Sequence, residues 1–231
     1  MTKNNPYPDG GNKSDHRDYL PAAGHDALLP GYDLLAGLLG MNKVYRRLIA
    51  QAEVVEGQRI LEIGCGTGNL TLRVKRAHPS VEAVGSDPDP LALHRARRKA
   101  RLVSGIRFDR GYAQQLPYGD AEFDRVLSSM MLHHIDNEKK PIAAQEIFRV
   151  LRPSGSLHLV DIGGDMTARD GLASRLIMHC HHAAGNLGDS IPRLLRAAGF
   201  DVAEVAAQRH VVLGRLVYYR AIRPAPASAS A

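Results

Sequence analysis

The sequence predicts an α/β fold: one mostly parallel sheet of seven strands, helices on both faces, and an antiparallel hairpin at the C-terminal end. Three observations predict it. Short apolar runs the length of buried strands recur at residues 60–63, 81–86, 106–108, 123–128 and 156–162. Segments with apolar residues at helical spacing separate several of them, such as Leu70, Val74 and Ala77, or Ala143, Ile147 and Val150. Two further runs, 201–212 and 215–221, follow the last helix with Gly214 between them, which reads as the closing hairpin. Alternating strand–helix units build parallel sheets covered on both sides.

Residues 1–30 are polar, rich in Asn, Gly, Asp and Pro, and read as a loosely ordered arm; residues 224–231 read as a tail of the same character. That leaves 31–223 as a single domain with a real core. Between residues 32 and 52, Leu34, Leu35, Leu38, Leu39, Val44, Leu48 and Ile49 predict one or two helices. Strand 60–63 then runs into Gly64-Cys65-Gly66-Thr67-Gly68-Asn69, three glycines at alternate positions ahead of a helix. Only glycine lets a ligand touch the backbone there at little conformational cost, and the helix N-terminus adds free N–H groups. A dinucleotide fingerprint wants its third glycine where Asn69 stands, and a phosphate loop wants Gly-Lys-Ser/Thr, which is absent. The second strand ends in Asp87, roughly 20 residues past the glycines, where a carboxylate can accept both hydroxyls of a ribose. Asp89 reads as the N-cap of the next helix, with Pro90 in its first turn.

That helix turns Ala92, Ala96, Ala100 and Val103 to one side and Arg95, Arg97, Arg98, Lys99 and Arg101 to the other, a pattern that reads as a solvated face. No aromatic residues interleave with the charges, so nucleic acid is not an expected partner. Strand 123–128 is followed by Met130, Met131, Leu132, His133 and His134; imidazoles here can act as a general base or can pack beneath a loop. The helix carrying Ala143 is expected to stop at Pro153-Ser154-Gly155. Asp189 or Ser190 is expected to cap a helix with Pro192 in its first turn and Gly199 at its end. His179, Cys180 and His182 cluster without a second ligand pair, so a lid or substrate pocket is expected there and no metal site.

The formal charge is +6 and the pI near 9.5, values that an anionic partner or an ordinary arginine-rich exterior explains equally well. Two cysteines are too few for a disulfide framework, and no signal pattern opens the chain. No apolar run reaches the roughly 18 residues of a membrane span. A cytoplasmic protein is expected.

The motif Glu62-Ile63-Gly64-Cys65-Gly66-Thr67-Gly68, with Asp87 downstream, resembles the cofactor loop of class I S-adenosylmethionine (SAM) methyltransferases. The resemblance runs from about residue 32 to residue 224 and is closest to small-molecule enzymes of the group that includes ubiquinone/menaquinone-biosynthesis C-methyltransferases. It implies a Rossmann-like domain, SAM as cofactor, S-adenosylhomocysteine (SAH) as product, and cofactor contacts from Glu62, Gly64, Cys65, Gly66, Gly68, Asp87, Pro88 and Ser128. Gly111-Tyr112-Ala113-Gln114-Gln115-Leu116-Pro117 resembles the segment that lies along the adenine. Tyr112 stands where that family has an acid, so the backbone of Ala113 and Gln114 is expected to hold the base. The implied reaction is methyl transfer to an O, N, S or C atom of a small-molecule acceptor. His134 and His133 are then the candidate bases, and Tyr32 and His181 the candidate substrate contacts. The Asp/Asn-Pro-Pro-aromatic motif of enzymes that methylate nucleobase amines is missing, as is a cysteine placed for cytosine C5. Alternatives are a SAM-binding protein without turnover and an RNA-directed methyltransferase; a dehydrogenase is opposed by Asn69.

Overall fold

The computed structural model describes residues 40–165, 186–210 and 213–226. The expected arm, the last five residues, Tyr32, His179, Cys180, His181 and His182 lie outside the described residues. In chain order the described elements are α1 (Met41–Ala52), β1 (Arg59–Ile63), α2 (Asn69–Ala77), β2 (Glu82–Asp87), α3 (Pro90–Ala100), β3 (Ile106–Arg110) and β4 (Phe123–Ser129). A 3-10 turn (Leu132–His134), α4 (Lys140–Val150), β5 (Leu151–Ile162), α5 (Ser190–Ala197), β6 (Asp201–His210) and β7 (Gly214–Ile222) complete them.

The strands form one sheet in the order β3-β2-β1-β4-β5-β7-β6. β1 to β5 are parallel, and β7 inserts antiparallel between β5 and β6, as the hairpin pattern predicts. Strand order reverses between β1 and β4, so the loops leaving these two strands turn toward opposite faces and open a crevice. Ile63 is in register with Ser128, so the glycine loop and the chain after β4 set out side by side.

Apolar side chains sort onto the two faces by strand alternation. Ile60, Leu127, Val160 and Tyr218 meet Val44 and Leu48 of α1 and Leu70 and Val74 of α2 on one face. Leu61, Val126, Leu157, Leu159 and Tyr219 meet Ala143 and Ile147 of α4 and Ile191 and Leu195 of α5 on the other. A third, smaller cluster of Cys65, Leu72, Leu93, Ala96, Ala100 and Phe108 sits under the glycine loop. The Asp89 carboxylate accepts from the Leu91 N–H at 2.8 Å, with Pro90 opening α3, so the expected cap is present; such caps contribute about 1 kcal/mol.

Four local expectations need correction. α3 ends at Ala100, so Val103 lies in the turn beyond it, and Leu93 joins the buried side instead. Its basic face is only partly solvated: Arg97 donates to the Phe108 carbonyl, and Lys99 Nζ to Thr67 Oγ1 at 3.0 Å and Asn69 Oδ1 at 2.8 Å, tying α3 to the glycine loop. Pro153-Ser154-Gly155 does not end α4. Leu151, fully buried, already belongs to β5, and the three residues make an irregularity within that strand, with Ser154 left-handed (φ 63°) and bonded to Arg223. Asp189 stands at the N-cap of α5, but its side chain pairs with Arg193 at 2.9 Å rather than capping. No helix among the described residues is long and apolar enough to cross a membrane.

Candidate active site

The three loop glycines all have positive φ (71°, 51° and 76°), yet their surroundings differ. A Cβ on Gly64 would overlap the Met131 side chain, and one on Gly68 would lie 2.7 Å from the Phe108 ring. Among the described residues, a Cβ on Gly66 would meet nothing within 4 Å. Gly64 and Gly68 therefore let the protein's own side chains close on the loop, whereas Gly66 alone faces open space.

Beneath that space lies Asp87. Its Oδ2 accepts from the Gly66 N–H at 2.7 Å and its Oδ1 from the Asp89 N–H at 2.9 Å, so one carboxylate ties the loop to the start of α3. Burial pushes its pKa up to about 6, against the lowering effect of these bonds. The amides of Gly64 and Cys65 donate to the Ser86 carbonyl at 2.8 and 3.0 Å, fixing the loop to β2. Glu62 is buried and accepts from the Thr71 hydroxyl; burial raises its pKa to about 8. The carboxyl is thus bonded inward to α2, below the loop. Cys65 turns its side chain into the small third cluster, where burial holds the thiol well above its ordinary pKa, so only its backbone lines the loop. Pro88 follows Asp87 with its carbonyl accepting from Arg110 Nε at 3.3 Å. Tyr112 closes a tight turn with Gln115 (2.9 Å) around Ala113 and Gln114, and the Gly111 N–H donates to the Asp87 carbonyl at 3.2 Å, so this segment borders Asp87. Ser128 is fully buried. Its hydroxyl has no hydrogen-bond partner and faces a small apolar cavity shared with Met131, Leu132, Ile147 and Leu159, so its side chain points beneath the crevice rather than into it.

Across the crevice, β4 ends in a backbone reversal. Met130 is left-handed (φ 57°), a conformation costly for a non-glycine residue and concentrated at functional sites. The reversal lays Met131 over Gly64 and leads into the turn that carries both histidines. His133 Nδ1 lies 2.7 Å from Asp161 Oδ1, and Asp161 is fully buried. A carboxylate only accepts, so Nδ1 carries a proton, and in the neutral ring Nε2 keeps its lone pair. Burial pulls the His133 pKa down, but the charge and hydrogen bond of Asp161 outweigh it and leave the ring above its ordinary value, with Lys140 opposing. The His134 ring stacks on His133 at 4.1 Å between centroids. Asp161 is absent from the sequence-based candidates. Its signal is present, though, because it stands in phase with the buried Leu157 and Leu159 on β5, where an acid demands a partner.

Comparison with known proteins gives the family. A sequence profile described as a methyltransferase domain matches residues 60–155, from β1 into β5. A demethylmenaquinone methyltransferase of Deinococcus radiodurans is 35% identical over 154 residues, 65% of this chain and 63% of that protein. One of Thermus thermophilus is 33% identical over 153 residues, 64% of this chain and 69% of that protein. The chain belongs to the class I SAM-dependent methyltransferases. Within that family it is of the type represented by the ubiquinone/menaquinone-biosynthesis C-methyltransferases, although the matches span only half to about two-thirds of those relatives' lengths. The family member also shares its fold with phosphoethanolamine N-methyltransferase 2 of Haemonchus contortus, solved in complex with SAM (TM-score 0.70, 16% identity, 88% of this chain and 58% of that one). SAM is the family's cofactor, and the residues present fit it: open space at Gly66 admits a ligand against the backbone, and the buried Asp87 carboxylate suits hydroxyl donors.

Proposed function

We propose that the protein transfers a methyl group from SAM to a small-molecule acceptor. The observation that carries this reading is the open face of Gly66 beside the Asp87 carboxylate, across the crevice from His133 and Asp161. Asp87 would accept the ribose hydroxyls, the backbone of residues 64–68 would lie along the methionine portion, and the backbone of Ala113 and Gln114 would hold the adenine. Bound there, SAM supplies an electrophilic methyl group on a sulfonium that leaves as the neutral thioether of SAH. The chain's part is to align the reactants, which can supply roughly 7–11 kcal/mol. It would also take up the acceptor's proton where the nucleophile arrives protonated, and His133 Nε2 would be the atom that receives it. Met131 packs over Gly64 at the entry to the loop. The relatives' names make a demethylated naphthoquinol the first acceptor to try.

Incubation of the protein with labelled SAM and cell extract, fractionated by solubility, tests the reading. Label in an organic-soluble small molecule is the expected result. Label in RNA, or SAM binding with no transfer to any fraction, would overturn it.

Asp87→Ala should weaken SAH. Each bond from a hydroxyl to an ionised acceptor is worth about 1.5–3 kcal/mol, so calorimetry should read a loss of at least about tenfold, with Asp87→Asn milder. Since the ribose does not react, KM for SAM should rise while kcat changes little. The wild-type carboxyl also sets two opposite pH trends. With its pKa raised from 3.8 to about 6, the folded protein holds the extra proton between those values, so this group's contribution to cofactor-free stability falls as pH rises across that window. Hydroxyl donors favour the ionised form, so SAH affinity should rise through pH 6. Flat SAH affinity between pH 5 and 7 would remove Asp87 from the ribose site.

A further inference from the structure

The polar cluster beneath the histidine turn is more elaborate than a turn requires. Asp161 Oδ2 accepts from the N–H groups of Leu132 (2.8 Å) and His133 (3.4 Å), and Oδ1 from the Ile162 N–H and from His133 Nδ1 (both 2.7 Å). Four donors on two oxygens leave the carboxylate no freedom to rotate, and it is fully buried. The same group therefore fixes the backbone that carries His133 and the ring itself. Among the described residues nothing bonds His133 Nε2, and the side chain keeps 15% of its surface exposed. Three titratable groups face the ring: Asp161 from β5, His134 stacked on it from the same turn, and Lys140 from the start of α4. The Lys140 ammonium is itself buried and donates to the side-chain oxygens of Asn137 (2.9 Å) and Asn186 (2.7 Å).

The geometry points to Asp161 as the positioning residue of methyl transfer: it holds His133 in the Nδ1–H tautomer, with Nε2 free to take the acceptor's proton. This rests on the reading of the crevice as a methyltransferase site. In the step, the acceptor's X–H bond breaks, its proton goes to Nε2, and its electron pair forms the bond to the methyl carbon. The imidazolium so formed is stabilised by the carboxylate beside it, which takes no proton. A carboxylate that merely capped the turn would not control the tautomer or the titration of the ring.

Nitrogen-15 NMR of histidine-labelled protein separates the two, with His133→Asn assigning the signal among 11 histidines. The wild-type ring should show a protonated Nδ1, a bare Nε2 and a midpoint above 6.5. In Asp161→Asn the midpoint should fall, because the carboxylate that raises it is gone. Label transfer from SAM should rise with pH through the wild-type midpoint and follow the shifted midpoint in the variant, to a plateau about tenfold or more lower. SAH affinity should stay within about threefold in both proteins, too small a change for a lost contact. A neutral wild-type ring that carries its proton on Nε2 overturns the proposal by itself, even if Asp161→Asn fails to fold. An unchanged midpoint and plateau in a folded variant overturn it as well. Absence of SAH binding to the wild type would instead bring down the cofactor reading on which it rests.

Discussion

Gly66→Val gives a folded protein that no longer binds SAH; that is the result expected from the one loop glycine whose Cβ would meet no atom of the described residues. The side chain would occupy the space left for the cofactor without displacing anything of the protein's own. Its folding cost is confined to the left-handed backbone, φ 51°, on the order of 1–2 kcal/mol. Loss of affinity should exceed about a hundredfold, since it removes close backbone approach and not one hydrogen bond. Gly68→Val should behave differently. Its side chain would run into the Phe108 ring and Ala96, so the small cluster under the loop would be disrupted and thermal stability would drop with affinity. Circular dichroism melts beside SAH calorimetry on both variants distinguish them. Near-normal SAH affinity in folded Gly66→Val would refute the placement of the cofactor.

His133→Asn should lower label transfer by 10²–10⁴-fold, about 3–5 kcal/mol, while SAH affinity stays near that of the parent. Asparagine is chosen because its amide N–H can reach the carboxylate that His133 Nδ1 now engages, so Asp161 is not left buried without that donor. His134→Ala removes a ring that stacks on His133 and should cost less. Should His134→Ala slow transfer more than His133→Asn, the base is His134 and the pair with Asp161 is structural.

The parts legible in the sequence were those set by local spacing. The glycine turn, the acid closing β2 and the Asp89 cap each depend on residues within a few positions of one another, and each stands where the pattern put it; the C-terminal hairpin forms too, with Gly214 opening β7 opposite His210 rather than lying between the strands. What stayed hidden depends on contacts far apart in the chain. Asp161 meets His133 across 28 positions, and Lys99 reaches Asn69 across 30, so neither shows in any local window. Ser128 lies near the end of β4 beside the glycine loop, but strand alternation turns its hydroxyl toward the apolar cavity with Leu132, Ile147 and Leu159. Pro153-Ser154-Gly155 has the composition of a stop signal, yet pairing of β5 with β4 and β7 carries the strand through it. Tertiary hydrogen bonding overrode a local preference there.

The cluster of Cys65, Leu72, Leu93, Ala96, Ala100 and Phe108 lies wholly within β1 to β3 and the helices between them, whereas the histidine turn rests on the larger core around α4 and α5. The two walls of the crevice nevertheless share that larger core, which also takes in Leu61, Ile63 and Val84 of β1 and β2, and Met131 packs directly over Gly64. Substitutions after β4 that reshape the histidine wall are therefore felt at the glycine loop. A changed acceptor would have to preserve the packing of Leu61, Ile63, Val84 and Met131, so the two halves of the chain evolve as one unit.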